Sequence, residues 1–308
     1  MLVTHGWPAA KRPNAVTIGN FDGLHQGHQA MLGRLTARAA SVAALPTVLT
    51  FEPHPREIFT PEDAPSRLTS LREKLEILRS LGVAHVHVCR FNREFASLTA
   101  EAFVQRILVD GLAARYVLVG DDFRFGARRA GDLELLQAQG QRHGFVAEAL
   151  STVEAQGLRV SSTAVREALA QGDLALAAQL LGRPYSISGR VVGGDRLGRK
   201  IGYPTANIQL KHNRPPLKGI FAVRVQGLEQ ADWPGVASLG TRPTVHADGR
   251  PTLEVHLFEF DRTIYRQHLR VEFLHKLRDE AKFDSLEALV AQIDRDARLA
   301  RELLNVCD

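Results

Sequence analysis

The sequence predicts an α/β chain in two parts: an open, doubly wound parallel sheet, then a small β-barrel with a closing helix. Three observations predict it. At 308 residues the chain exceeds what one ordinary hydrophobic core serves, so two domains are expected. Its first half alternates short β-branched runs with amphipathic stretches, the rhythm of βαβ units. At "LGRPYSISGRVVGG" the text becomes strand-rich, which places the boundary near 183 and gives domains 1–182 and 183–308.

The elements follow in order. "AVTIG" reads as the first strand, "HQAMLGRLTARAASVAAL" as a helix, "PTVLTF" as a strand, "TSLREKLEILRSLG" as a helix and "AHVHVCRF" as a strand. The alternation continues through "EAFVQRILVDGL", "RYVLVG", "DLELLQAQGQRHG" and "FVAEAL", with turn residues at most junctions. Two short helical patterns, 162–170 and 173–182, lead into the second part. There 185–192, 219–226, 234–239, 252–259 and 267–275 are short and rich in Val, Ile, Phe or Leu, as a small barrel requires. A helix over roughly 284–304 closes the chain.

Composition is ordinary for a soluble globular protein, with 44% apolar and 24% charged residues. The opening "MLVTHGWPAAKRPNAV" has two prolines and no sustained apolar run, so it does not read as a signal peptide. No later stretch is long enough to span a bilayer. Cys89 and Cys307 lie far apart and fit no metal spacing. A reducing, cytoplasmic setting without membrane partners is expected. The net charge of +5 suits phosphate-bearing ligands, and the lack of a dense basic run argues against a nucleic-acid partner.

The first chemical signal is "GNFDGLHQGH", residues 19–28, placed between a strand and a helical pattern. Gly19, Asn20, Asp22 and Gly23 form the loop, and glycines there admit close backbone approach while the next helix offers free N–H groups to phosphate. His25 and His28, spaced i and i+3, fall near one another and are placed to donate to charge building on a phosphoryl group. A second signal is "VSSTAVREAL", where Ser161, Ser162 and Thr163 precede a helix and Arg166 follows one turn later. An N-cap alone would explain the hydroxyls. Taken with the first string they make a second phosphate-binding candidate.

Together these strings resemble the nucleotidyltransferase superfamily with a His-x-Gly-His-type first loop and a Ser-Ser-Thr-x-x-Arg second loop. The resemblance implies direct attack of an acceptor phosphate on the α-phosphate of ATP, so that catalysis is positioning and charge stabilisation. Two further strings, "TFEPHP" at 50–55 and "GDDFRFG" at 120–126, are similar to the flavin-side loops of bacterial FMN adenylyltransferases. That implies flavin contacts for Phe51, Pro53, His54, Pro55, Asp122, Phe123 and Phe125, although such aromatics are as a rule core residues.

In the second half, "GGDRLGRKIGYPTANI" at 193–208 joins a basic glycine-rich loop to a Pro-Thr-Ala-Asn string. Gly193 and Gly194 suit backbone approach to phosphate. Thr205 and Asn207 offer the hard oxygen donors that a nucleotide-borne Mg²⁺ takes. "KGIFAVRV", "GVASLGTRPTV", "LEVHLFEFD" and "LRVEFLHKLRDEAKFDSLEALVAQIDRD" follow in order. This succession resembles bacterial riboflavin kinase, and with the first half the whole chain resembles the family of bifunctional riboflavin kinase/FMN adenylyltransferases. The resemblance implies a nucleotidyltransferase domain followed by a barrel kinase domain. It also implies Glu254 as general base on the buried side of its strand, Thr205 and Asn207 at metal and nucleotide, and Arg278 and Glu280 beside the flavin. His256 is left as a structural residue. The resemblance further implies ATP as co-substrate, riboflavin, FMN and FAD as substrates and products, and a need for Mg²⁺. A monomer or weak homo-oligomer acting on small molecules is expected.

Two departures from the family stand out. Phe221 replaces a usual Tyr, and Arg262, Thr263, Ile264, Tyr265 and Arg266 stand where Gly-Asp-Leu-Tyr-Gly is usual. An RNA-binding reading stays open, because the histidine-glycine loop also occurs in some aminoacyl-tRNA synthetases, and steep salt dependence would mark it. A flavin carrier with degenerate sites is a third reading.

Overall fold

The computed structural model describes every residue except 10, 11, 156, 195, 196, 212, 213, 230, 231, 242–250, 307 and 308; the elements and counts below are of the described residues. Cys307 and parts of the strings at 193–208 and 235–245 lie outside them. The chain divides into two compact units, Met1–Pro65 with Leu71–Ser161, and Ser66–Ser70 with Ser162–Asp308.

The first unit is built on a six-stranded sheet in the order β1-β4-β3-β2-β5-β6, all neighbours parallel. The strands are β1 Leu2–His5, β2 Asn14–Ile18, β3 Leu45–Glu52, β4 His85–Arg90, β5 Ala114–Gly120 and β6 Val146–Leu150. Parallel strands need crossovers, and the helices supply them. Gln26–Ser41 and Leu71–Ser80 bury Leu32, Leu35, Ala39 and Leu78 against Val48, Val86 and Leu118 on one face. The stretch Ala100–Val109 and helix Leu133–His143 bury Phe103, Ile107 and Leu136 with Val16, Leu49 and Val117 on the other. Covered on both faces, β2 is buried at all five positions. Each leucine so buried contributes about 1.5–3 kcal/mol.

Two expectations change here. "AVTIG" is the second strand rather than the first, since Leu2–His5 forms an edge strand beside β4. A two-stranded hairpin, β7 Glu154–Ala155 with β8 Leu158–Arg159, follows β6. Both are too short for periodicity to register.

The second unit opens with helices Ser162–Gln171 and Leu174–Leu181. Asp173 caps the second through its Oδ1 at 2.8 Å from the Leu176 N–H, and Gly182 ends it in the left-handed region at φ 70°. This helix packs on the barrel strands β9 and β14. By contacts, the division therefore falls between Ser161 and Ser162, ahead of the change in composition near 183.

The barrel comprises β9 Tyr185–Val192, β10 Ala206–Ile208, β11 Gly219–Gln226, β12 Trp233–Thr241, β13 Pro251–Leu257 and β14 His268–Arg278. It closes in the order β10-β13-β12-β11-β14-β9, every pairing antiparallel. The three-residue β10 carries too few residues to read as a strand from its pattern, yet it closes the ring. Phe221, Val223, Ala237, Leu239, Val255 and Phe273 are fully buried inside. Phe221 meets Phe273 edge to face at 5.2 Å, an apolar setting that accepts Phe where a hydroxyl would need a partner. Along β13, Leu253, Val255 and Leu257 point inward, so Glu254 and His256 point outward. The buried-side placement of Glu254 is thereby corrected. The final helix, Leu286–Leu304, lays Ala297 and Ala300 against Ala222 and Phe258 on the barrel's exterior.

Candidate active sites

The first unit holds a cleft of about 290 Å³ at the carboxyl ends of β2, β5 and β6. Here the strand order reverses: β3 and β4 lie to one side of β2, β5 and β6 to the other. Such switch points are where open α/β sheets take ligands. Gly19, His25, His28, Asp122 and Phe123 line the cleft.

The loop leading into helix Gln26–Ser41 is held in an unusual path. Phe21 at φ 48°, Gly23 at φ 79° and Leu24 at φ 47° all adopt left-handed backbone, which costs of order 1–3 kcal/mol at each non-glycine residue. Burial of the Phe21 and Leu24 side chains offsets it. This path places His25 at the N-cap, where its Nδ1 accepts from the His28 N–H at 3.4 Å. The two imidazoles stack at 3.7 Å and 19°, and Phe21 packs on the His28 ring at 4.9 Å. A Cβ at Gly27 would lie 3.2 Å from His25 Nδ1, so glycine there leaves room for the ring. Burial, then the neighbouring His25 and Lys74, hold the His28 pKa well below the usual histidine value. So lowered, the His28 ring is uncharged near neutral pH. Its Nδ1 and the Asn20 Oδ1 are buried without a hydrogen-bond partner, a costly state for polar atoms.

The remaining first-unit residues divide by role. Phe123 stacks on Phe125 at 5.5 Å and 16°, while Phe125 itself is 6% exposed and belongs to the core. Phe51 sits among Phe91 and Phe95 at 5.7 and 5.8 Å. His54 caps helix Pro55–Phe59, its Nδ1 accepting from the Arg56 N–H at 3.2 Å and its own N–H donating to Glu57 at 3.1 Å. Pro53 follows a cis peptide bond. Asp22 is buried. Sequence reasoning missed Asp121, Thr152 and Arg159, which also line the cleft. Asp121 accepts from the Thr152 N–H and hydroxyl, each at 3.1 Å, and the backbone bond chiefly lowers its pKa. Arg159 pairs with Asp122 at 3.1 Å. The first Asp of "GDDF", beside the chosen Asp122, was the available signal for Asp121; nothing local marked Thr152.

Ser162, Thr163 and Arg166 begin helix Ser162–Gln171 in the second unit, where the Arg166 Nε donates to the Ser66 carbonyl at 2.6 Å. Ser161 lines the first unit's cleft.

Two cavities of about 510 and 490 Å³ lie on the barrel, and Thr205 lines both. The first runs along Pro204, Thr205 and the segment from Phe260 to Tyr265. Arg262, Thr263 and Ile264, three of the four positions at which this turn departs from the family pattern, therefore face a cavity, as does Tyr265, which keeps the pattern. The second lies between the barrel's outer face and the final helix, lined by Glu254, His256, Arg278 and Glu280 with Ile220, Phe283 and other apolar groups. Where they meet, the Thr205 hydroxyl donates to Glu254 Oε2 at 3.5 Å. Asn207 is the cross-strand partner of Glu254, and the two residues share one face of the sheet. Gly194 stands so close to the Asn207 amide that a Cβ would overlap it, whereas Gly193 faces open space.

Supporting contacts hold this junction. The His256 Nδ1 donates to the Pro204 carbonyl at 2.9 Å, tying β13 to the Pro-Thr-Ala-Asn string. Tyr203 hydrogen-bonds Asp294 on the final helix, and burial is the main cause of its pKa of about 12. Arg278 clasps the buried Asp296 at 2.7–3.0 Å while Gln292 donates to the same carboxylate at 2.8 Å. The sequence marked Arg278 for a ligand; the fold gives it to the helix as well. A Cβ at Gly240 would overlap the Glu280 carboxylate, so glycine lets that side chain lie against β12.

Residues 8–164 match the family described as FAD synthetase, and residues 181–304 the family described as riboflavin kinase. A Pseudomonas fluorescens protein named bifunctional riboflavin kinase/FMN adenylyltransferase is 50% identical, covering 97% of this chain and 96% of its own. One of the same name from Escherichia coli is also 50% identical, covering 94% and 93%. A solved structure described as a macrolide-efflux protein from Streptococcus pneumoniae matches with a TM-score of 0.83 at 29% identity, over 98% of this chain and 99% of that one. Among the described residues, no helix of this chain is long and apolar enough to cross a membrane.

Proposed function

The chain belongs to the family of bifunctional riboflavin kinases/FMN adenylyltransferases, and from that premise we propose which residues carry its two reactions. It phosphorylates riboflavin with ATP to give FMN and ADP, then joins FMN to the adenylyl group of a second ATP to give FAD and pyrophosphate. The observation that carries the assignment of roles is the meeting of the barrel's two cavities at Thr205 and Glu254.

In the kinase, the nucleotide occupies the cavity along Phe260–Tyr265, and the flavin ring lies in the more apolar one beneath the final helix. The ribityl hydroxyl then reaches Glu254, which accepts its proton as the oxygen attacks the γ-phosphorus and ADP leaves. His256 steadies the Pro204 carbonyl and so keeps Thr205 facing Glu254. Gly193 and Gly194 give the phosphates backbone approach. Arg278 and Glu280 border the flavin.

Among the described residues no cluster of three or more His, Cys, Asp or Glu is placed to hold a metal. The donor set present, the Thr205 hydroxyl and the Asn207 amide oxygen, fits a Mg²⁺ that arrives on the nucleotide and needs few protein ligands. Bound there, the ion would neutralise charge on the transferring phosphates.

In the transferase, the FMN phosphate oxygen attacks the α-phosphorus of ATP and pyrophosphate leaves. His25 and neutral His28 donate to the oxygens where charge builds. Gly19, Asn20, Asp22 and Gly23 seat the nucleotide, and Ser162, Thr163 and Arg166 hold the departing pyrophosphate. Phe51, Pro53, His54, Pro55, Asp122 and Phe123 form the flavin side, with Phe125 supporting Phe123. We assign the transferase to 1–182 and the kinase to 183–308, acting in the cytoplasm on small molecules as a monomer or weak homo-oligomer.

The test is to supply riboflavin, ATP and Mg²⁺ and separate the flavins by chromatography. The parent makes FMN and then FAD. Glu254→Ala makes no FMN yet converts supplied FMN to FAD, whereas the His25→Ala/His28→Ala variant stops at FMN. If Glu254→Ala phosphorylated riboflavin normally, the assigned base would be wrong.

A further inference from the structure

The cavity along Phe260–Tyr265 carries a cation fixed by stacking. Arg262 lines it, with its guanidinium 5.1 Å from the centre of the Phe260 ring and 5.7 Å from that of Trp233. The two rings meet edge to face at 5.1 Å and 80°. Glu229, its nearest acidic contact among the described ion pairs, is 4.0 Å away with both side chains largely in solvent, so that pairing neutralises it little. Stacking uses the flat face of a guanidinium and leaves its N–H edge for oxygen acceptors. Arg199 lines the same cavity, against the single lining carboxylate of Asp261.

We propose that Arg262 is a phosphate-binding residue of the kinase, held by Phe260 and Trp233 so that its N–H edge meets the polyphosphate of ATP. This rests on the reading of that cavity as the nucleotide's. Arg262 sets affinity for phosphorylated nucleotides without taking part in proton transfer. Its loss raises KM for ATP and spares kcat.

The experiment compares the full-length parent with Arg262→Ala, Arg262→Lys and Phe260→Leu. KM for ATP and kcat are measured in riboflavin phosphorylation, together with inhibition constants for ADP and for adenosine. Losing a charge-assisted contact is worth roughly tenfold or more. Arg262→Ala is expected to raise KM for ATP and the ADP inhibition constant by about that factor, with kcat within twofold and adenosine inhibition unchanged. Arg262→Lys keeps the charge and recovers part of the loss, and Phe260→Leu falls between. In all three, KM for ATP in the adenylylation of supplied FMN stays at the parent value, which shows the chain is folded. Unchanged ADP inhibition in Arg262→Ala overturns the proposal, and so does equal weakening of ADP and adenosine. Should the parent phosphorylate riboflavin while alanine at Arg199, Thr263 and Tyr265 together also leaves ADP binding intact, the cavity reading itself falls.

Discussion

The cleft of the first unit and the paired cavities of the second are built by opposite means. The first is made mostly of backbone: a strand end, three left-handed residues in a four-residue span and the N-terminus of helix Gln26–Ser41. The parallel sheet dictates its position, since the cleft sits where the strand order reverses. In the second, the cavity beneath the final helix is made of side chains on the outside of a closed barrel, brought together from β11, β12, β13, the end of β14 and the helix itself. A barrel has no switch point, so its exterior becomes a site only where another element covers it. The first site is consequently sensitive to loop conformation, the second to single side chains and to the helix that roofs it.

The largest expected effects test that contrast directly. Glu254→Gln keeps the shape of the cavity but cannot accept a proton, and should lower riboflavin phosphorylation by about 10²–10⁴-fold while leaving adenylylation of supplied FMN intact. His28→Ala should lower adenylylation by roughly 10²–10³-fold and leave the kinase unaffected. Initial rates with riboflavin or FMN as sole flavin measure both. If either variant damaged both activities in a folded chain, the two sites would not be independent.

That difference in construction also explains what the sequence disclosed. "GNFDGLHQGH" is contiguous, so a reader of the text sees loop, helix start and histidines at once, and the βαβ rhythm says where the string must sit. The barrel's chemistry was readable only as separate strings. Glu254 could be chosen, but its face could not: alternation says that Glu254 opposes Val255, and only closure of the barrel decides which side is inside. Arg278 was marked without its partner Asp296, because a separation of eighteen positions along the chain carries no signal of the clasp. Thr152 reaches the cleft from the connection between β6 and β7 and Arg159 from a two-residue strand, segments in which no periodic pattern exists. The boundary near 183 followed composition, whereas the contacts follow the apolar face of helix Leu174–Leu181.

Intermediate effects should come from glycines, one for each site. At Gly194 a Cβ would overlap the Asn207 amide, so Gly194→Ala must move the very side chain assigned to metal and nucleotide. A loss of about tenfold in kinase kcat/KM is expected, since small misplacements at a positioned group carry large rate penalties. At Gly27 the Cβ would stand 3.2 Å from His25 Nδ1, a contact that a slight ring shift relieves. Gly27→Ala should lower adenylylation severalfold and no more. Gly193→Ala, whose Cβ meets no protein atom, leaves Asn207 in place and tests only the backbone approach of phosphate, so it should cost the kinase less than Gly194→Ala and leave adenylylation unchanged. An effect at Gly193 equal to that at Gly194 would mean that loop conformation, not the Asn207 contact, decides.

The smallest effect concerns stability and separates the units by acid. In the first unit the Thr4 hydroxyl lies 2.7 Å from His85 Nε2 and 2.8 Å from His87 Nδ1, and His87 Nε2 lies 3.0 Å from the Gly6 carbonyl. A carbonyl only accepts, so neutral His87 carries its proton on Nε2 and accepts from Thr4 through Nδ1, leaving Thr4 to accept from His85 Nε2. One neutral arrangement satisfies these three contacts, and a further proton on His87 Nδ1 removes the acceptor that Thr4 uses. Burial is the main cause lowering both histidine pKa values, so the folded chain binds these protons less readily than the unfolded one. Their contribution to stability is complete above the unfolded histidine pKa of about 6.5 and is lost as pH falls through the folded values. Trp7 lies in the first unit and Trp233 in the second, so Trp7→Phe and Trp233→Phe chains report each unit by fluorescence. The urea midpoint seen by Trp7 should fall between pH 8 and pH 5.5, and His85→Gln/His87→Gln should flatten that slope while leaving the slope seen by Trp233 unchanged. An unaltered slope at Trp7 would assign the acid sensitivity to His28 at the cleft instead, and would join the first unit's stability to its active site.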